Sequence, residues 1–218
     1  METPIFLNRG RQLFGSDCIF GIVDWAGILG SLDRNGATVT GTLEEVDTPY
    51  GTGLQVAAAN SHIDFNWPLV APLLTQARSI FARFYLPSVS SMYGLVGWGA
   101  AANQNASFIY NNSGQYGGGL ANDADAGGTL SSGWFTIGWT NAGVNGGANI
   151  VYGQGSPAAS GTNGSDAITT YSALRILNFA HADFPCPVGS IVKELLAFNR
   201  VLADDEVEGL HEEFVGAL

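Results

Sequence analysis

An all-β sandwich of two antiparallel sheets with a short C-terminal helix is the fold the sequence predicts, on three observations. Glycine fills 30 of 218 positions, about double an average usage of roughly 7%. Charged residues make up only 12%, about half the usual ~25%. Short alternating or apolar runs recur between clusters of Gly, Asn, Ser and Pro, the pattern of strands joined by tight turns, and one helical stretch closes the chain. With 46% hydrophobic residues, a chain of this length can bury a large core without a disulfide or metal staple. The expected organisation is an N-terminal arm and first-strand region over residues 1–35 and the sandwich over 36–218, in one compact domain.

The elements follow in order. Asn8-Arg9-Gly10-Arg11 holds two of the eight basic residues and reads as an exposed arm. Cys18 to Val23 is a strand, and a helical turn is expected around Trp25 to Leu32. Ala37–Leu43, Leu54–Ala58 and His62–Phe65 are short β-prone runs, and Pro68–Gln76 is a helical turn or a loop. Ser79 to Leu86 is a strand with Ile80, Ala82, Phe84 and Leu86 on one face and Phe81, Arg83 and Tyr85 on the other, because side chains alternate. Tyr93–Trp98 and Ala106–Tyr110 come next, then Trp134–Thr140 and Ala148–Tyr152, joined through Asn145-Gly146, a dipeptide suited to tight hairpins. Gly117–Gly128 and Gly153–Ser165 read as long surface loops, the usual home of binding.

The end of the chain is the most explicit. Ala173–Phe179 and Ile191–Asn199 are strands, the second with Val192, Leu196 and Phe198 alternating with Lys193, Ala197 and Asn199. A helix starts at Ala203 or Asp204, with Glu206 placed as a capping-box Glu and Leu202 and Val207 spaced as a hydrophobic staple. Val207, Leu210 and Phe214 give it one apolar edge, and Asp204, Asp205 and Glu206 suit its N-terminal dipole.

Charge narrows the function. The formal net charge is −11 and Lys193 is the single lysine, which argues against nucleic acid and anionic membrane surfaces. Six of the 19 acidic residues lie between Asp204 and Glu213, a solvated helix face. Cys18 and Cys186 lack metal-ligand spacing; a disulfide between them is geometrically possible, and free buried thiols are the expectation. Met1 to Pro4 opens without a basic and apolar leader, and no stretch reaches the ~20 apolar residues of a membrane span.

Ser190 to Val207, SIVKELLAFNRVLADDEV, resembles the closing strand and helix of laminin-G-like jelly rolls of the concanavalin A-like lectin/glucanase superfamily. That run usually reads Gly-x-Ile-Asp-Glu-Val-x-Ile-Tyr-Asn-Arg-Ala-Leu-Ser-x-x-Glu-Ile; here Lys193 stands where Asp is common and Ala203 where the capping Ser is usual. Gly133–Thr140, Ser172–Asn178 and Arg78–Leu86 resemble upstream strands. The resemblance implies two antiparallel sheets, with ligand sites on a concave face or its rim, and functions ranging over carbohydrate binding, adhesion, glycan cleavage and virion structure. Fold does not choose among them.

Catalytic relatives carry a Glu-x-Asp-x-x-Glu strand. Glu44-Glu45-Val46-Asp47 lacks that spacing, and His62 with Asp64 makes a structural pair. Gly-x-Ser-x-Gly does not occur, so no enzyme is expected. For carbohydrate, Trp98 and Tyr116 near loop ends are the candidate platforms, with Asn122 as hydrogen-bonding partner. Asp123 and Asp125 could offer hard oxygen ligands to Ca²⁺. The expected role is a non-enzymatic virion surface component, a capsid decoration or tail/fibre module of a tailed bacteriophage. It would be made in the host cytoplasm, homo-oligomeric, and attached to other virion proteins through Arg9 and Arg11. The alternative is a lectin-like adhesion module that binds cell-surface glycans.

Overall fold

A computed structural model describes residues 17–32, 36–65, 77–99, 106–120, 123–143, 147–162, 174–179 and 184–216. Arg9, Arg11, Asn122, Asn145-Gly146 and Pro68–Gln76 lie outside these. The first sheet contains, in spatial order, β13 (Ser156–Thr162), β12 (Ala148–Gly153), β11 (Gly133–Asn141), β6 (Arg78–Leu86), β15 (Ile191–Phe198), β4 (Gly51–Val56) and β3 (Leu43–Thr48), and β1 (Cys18–Ile22) also pairs with β15. The second contains β10 (Asp123–Gly127), β9 (Tyr116–Leu120), β8 (Ala106–Asn112), β7 (Met92–Gly99), β14 (Leu174–Ile176), β5 (His62–Phe65) and β2 (Ala37–Thr40). The pairings are antiparallel. The two-sheet sandwich and C-terminal helix expected from the sequence are both present.

Alternation on β6 runs as the sequence predicts. Ile80, Ala82, Phe84 and Leu86 lie in the core between the sheets, while Phe81 joins a second apolar cluster on the outer face. On β15 the expected face assignment changes. A bulge between Val192 and Glu194 adds a residue to the strand and resets its alternation. Val192 therefore shares the core with Leu195 and Ala197, and Leu196 and Phe198 turn outward.

The glycine-rich stretches expected as loops are largely strands, β9, β10 and β13. The cause is close approach. A Cβ on Gly117 would stand 2.4 Å from the Tyr110 ring, and one on Gly153 2.4 Å from the Tyr116 ring. These glycines are seats for aromatic rings, so a composition that reads as flexible is dictated by packing. The single run expected over Ala37–Leu43 is also divided. The chain leaves the second sheet at β2, turns at Gly41 with φ +75°, and enters the first at β3. Around Trp25 to Leu32, the turn expected from the sequence is a single 3-10 turn over Leu29–Ser31. Cys18 and Cys186 are both buried free thiols.

The helix, α1 (Asp204–Gly216), lies on the outer face of the first sheet. Val207, Leu210 and Phe214 are buried against Phe81, Tyr152, Leu196 and Phe198, each such burial stabilising by about 1.5–3 kcal/mol. Leu202 and Val207 are both buried in this cluster, as a staple requires. Ala203 cannot cap with its side chain, but Glu206 supplies the reciprocal half of the box, its carboxylate accepting the Ala203 N–H at 2.9 Å. Arg200 grips the same carboxylate with two 2.6 Å hydrogen bonds. These contacts, the Arg200 pair foremost, hold the Glu206 carboxyl down at about 2. A depressed acid stabilises the fold above its ordinary pKa and loses that contribution as pH falls through its folded value. Replacing Glu206 by Gln should lower stability by about 1 kcal/mol near neutral pH, a modest figure because the pair is partly exposed. In urea melts the gap between the two proteins should close as pH drops from about 4.5 towards 2.

Candidate functional site

The outer face of the first sheet carries a cleft of about 320 Å³, a volume within the range of small-molecule pockets. Its floor is β11 and β6, where Thr136 stands opposite Arg83 and Trp134 opposite Tyr85. Tyr50 walls one side, from the two-residue turn between β3 and β4. His211 and Val215 of α1 wall the other, and Gln154 closes it from the turn between β12 and β13.

Arg83 dominates the electrostatics. It is 1% exposed, its guanidinium lies 4.0 Å above the centre of the Tyr50 ring, and its Nε is 3.2 Å from Glu194 Oε2. Yet neither Nε, Nη1 nor Nη2 of Arg83 makes a hydrogen bond among the described residues, and Glu194 Oε2 lacks one too. A buried guanidinium with no aligned acceptor is costly to keep. The bulge of β15 supports this group from behind: Lys193 Nζ lies 3.3 Å from Glu194 Oε1 and donates to the Val23 carbonyl. Burial pushes the Glu194 carboxyl up to about 7, against the opposing pull of Lys193 and Arg83. Burial first, then Arg83, pushes the His211 imidazole below its ordinary value, so it is neutral at pH 7.

Local folding places the polar rim. Gly153 pairs with Ser156 across a two-residue turn, with Gln154 at φ +52° and Gly155 at φ +79°. Both central residues of such a turn need positive φ, and glutamine is an unusual occupant. Its side chain supplies a reason: Gln154 Oε1 accepts the Thr136 N–H at 3.0 Å. The Thr136 hydroxyl in turn sits 2.8 Å from His211 Nδ1. Gly155 leaves room for His211, since a Cβ there would fall 2.9 Å from the His211 Cβ and 3.0 Å from its ring. Trp134 is half-buried, with its ring 5.3 Å from Tyr50 and 5.5 Å from Tyr85.

Of the residues singled out from the sequence, Arg9, Arg11 and Asn122 fall outside the described residues. Tyr116 is 6% exposed and packs edge-on against Phe135 in the core. The backbone of Trp98 belongs to β7 and that of Asp123 to β10. Asp125 accepts a hydrogen bond from Asn149 Nδ2, and Asn149 in turn accepts one from the Trp139 indole. Among the described residues, no three His, Cys, Asp or Glu side chains gather for a metal. His62 and Asp64 do meet, at 3.6 Å, and Arg175 clasps Asp64 at 2.7 and 2.8 Å, a structural pair on the second sheet. The cleft itself was signalled in the sequence by charges inside apolar strands, Arg83 in SIFARFYL and Lys193-Glu194 in IVKELLAF. Its wall residues Tyr50, Gln154 and His211 carry no comparable signal.

No protein-family model and no curated protein matches the chain. Solved structures do. The binding domain of Paraclostridial Mosquitocidal Protein 1 superposes with a TM-score of 0.69 at 15% identity, over 91% of this chain and 52% of that one. The botulinum neurotoxin serotype C1 binding domain gives 0.65 at 10% identity, over 82% and 47%. Domain 4 of AbnA, a GH43 extracellular arabinanase from Geobacillus stearothermophilus solved in complex with arabinotriose, gives 0.60 at 19% identity, over 80% and 87%. The chain thus spans about half the length of the two toxin domains. At these identities the likeness concerns the fold: a β-sandwich shared with domains described as binding domains and with an accessory domain of a glycosidase. Among the described residues, no helix is long and apolar enough to cross a membrane.

The Glu194 carboxyl has a pH signature. An acid raised from 4.5 to about 7 stabilises the fold below its ordinary pKa, and that contribution is lost as pH rises through 7. Chemical denaturation between pH 4.5 and 8 should show this decline in the wild type and a flatter profile in Glu194→Gln.

Proposed function

We propose that this chain is a non-enzymatic binding module whose ligand is a glycan, held in the cleft between Tyr50, Trp134 and α1. The observation that carries the reading is the composition of that cleft. An aromatic platform at Trp134 stands beside the polar side chains of Thr136, Gln154 and His211, over the buried Arg83. Sugars are bound by such pairings of an apolar ring face with a few fixed polar groups. Among the described residues, those lining the cleft include no Asp or Glu, whereas glycoside hydrolysis employs two carboxyl groups about 5–9.5 Å apart. Glu194 lies behind Arg83 and is engaged by Lys193, which supports binding over cleavage. The sandwich fold shared with toxin binding domains and with an arabinanase accessory domain accords with a module that recognises without reacting.

A surface position on a virion is a narrower role for the same module. In that setting residues 1–35 would supply the first strand and an arm whose Arg9 and Arg11 meet an acidic neighbour in the particle. Mass spectrometry of purified particles from the source checks it, and absence of the chain from them rules it out.

The glycan reading is tested on an array of immobilised oligosaccharides probed with the intact chain. Wild type should bind a subset of them. Trp134→Ala should weaken that binding about tenfold to a hundredfold, the worth of one aromatic platform at roughly 1–3 kcal/mol, with its far-UV circular dichroism unchanged. No glycan bound by the wild type, or full binding retained by a folded Trp134→Ala, would overturn the proposal.

A further inference from the structure

Gln154 meets Thr136 twice. Its backbone N–H donates to the Thr136 carbonyl at 3.1 Å, and its side-chain Oε1 accepts the Thr136 N–H at 3.0 Å. The second bond falls just past the last β11–β12 pair, Ile137 with Gly153, where the side-chain oxygen takes over from the strand. Because a backbone N–H can only donate, it fixes which end of the Gln154 amide is the oxygen. Nε2 is then an oriented donor on an exposed side chain at the end of the cleft, with no partner among the described residues. Support of the fold accounts for the oxygen and leaves the nitrogen without a task.

The wall formed by α1 holds an apolar counterpart. Of the four large apolar side chains exposed among the described residues, Phe184, Val188, Val201 and Val215, the last lines the cleft. It follows His211 by four residues, so it stands one helical turn along the same wall, about 5–6 Å on. Gly155, the neighbour of Gln154, packs against His211. The free amide donor and the exposed valine therefore flank the same histidine, beside the ring of Trp134. A sugar hydroxyl would accept from Nε2 but offer nothing to Val215. An acetamido group carries a carbonyl acceptor and a methyl on one planar unit, and it serves both. We infer that the cleft selects a 2-acetamido sugar, with its carbonyl on Gln154 Nε2 and its methyl against Val215; this rests on the glycan reading above and adds the ligand class.

The test is isothermal titration of the intact chain with the methyl β-glycosides of N-acetylglucosamine and N-acetylgalactosamine, each against its parent glucoside or galactoside, which differs only at C2. At least one acetamido sugar should bind about tenfold more tightly than its parent, the worth of one hydrogen bond and one buried methyl. Gln154→Glu keeps the side-chain length and an oxygen for the Thr136 N–H but turns the donor into an acceptor, and it should remove the preference. Val215→Ser should reduce it about threefold. Both side chains are exposed, so both variants should fold, with urea midpoints close to wild type. A Gln154 that serves only the turn would leave the sugar ratio unmoved in Gln154→Glu. Equal affinity for acetamido sugar and parent overturns the inference, as does a preference retained in full by either variant; each leaves the glycan reading standing. Binding of none of these sugars also overturns the inference, and the array result then decides separately whether the glycan reading falls.

Discussion

β15 pairs along most of its length with β6, while its other edge is divided between β4 at one end and β1 at the other. The strand that ends the sandwich in sequence is thus near its middle in space, and it joins the N-terminal strand, the hairpin carrying Tyr50, and the helix that follows. The bulge between Val192 and Glu194 is the critical detail. Without it, alternation would carry Leu196 and Phe198 to the same face as Val192, and α1 would have no apolar floor. With it, the outward side holds Leu196 and Phe198 for the helix, and Glu194 beside Arg83. One extra residue sets both the docking of the helix and the charge behind the cleft.

That arrangement carries a penalty a purely structural sheet would avoid. Arg83, Lys193 and Glu194 are each at most 5% exposed, and apolar residues of similar size would commonly serve stability as well or better. Gln154 adds a second departure, a non-glycine residue in left-handed conformation where Asn or Gly is the easier choice. Both departures border the same cavity, and local disagreement between sequence and fold tends to collect at functional sites. The sheet has other irregularities, register shifts between Cys18 and Phe20 and between Val151 and Tyr152 and a buried Arg78, but Arg83, Glu194 and Gln154 gather around one cavity.

Much of the fold was legible because it is written in local patterns. The alternation of Ile80 to Leu86 marks its two faces unaided, and the staple, the Glu206 position and the Val207–Leu210–Phe214 edge define α1 before any coordinates. What escaped was non-local. Gly117 and Gly153 look like loop residues until Tyr110 and Tyr116 are seen resting on them, and those rings come from other strands. The site escaped for the same reason. Tyr116 at a loop end and Asp125 in a glycine-rich run suggested a binding rim, yet one ring packs in the core and the other carboxylate holds Asn149. Tyr50, Gln154 and His211 are separated by more than fifty residues at each step, and only the folding of hairpin, turn and helix over β6 makes them neighbours. Arg83 was the readable member, a charge at the centre of an apolar strand on the face opposite the core.

The glycine seats have a further consequence at the border of the sandwich. Where β10 and β13 end their sheets, Gly127 and Gly161 bring the two strands together so closely that a Cβ on Gly127 would stand 2.5 Å from the Ala158 carbonyl oxygen. The two sheets meet there along a seam held by packing, since among the described residues β10 pairs with β9 and β13 with β12 but not with each other. Among the described residues, the opposite border ends in β3 and β2, and β3 bears Glu44, Glu45 and Asp47. A second copy of this chain brought edge to edge would set those carboxylates against their own kind. Among the described residues, one border is crowded by the packing of its two end strands and the other is guarded by charge, which turns traffic with other molecules towards the faces.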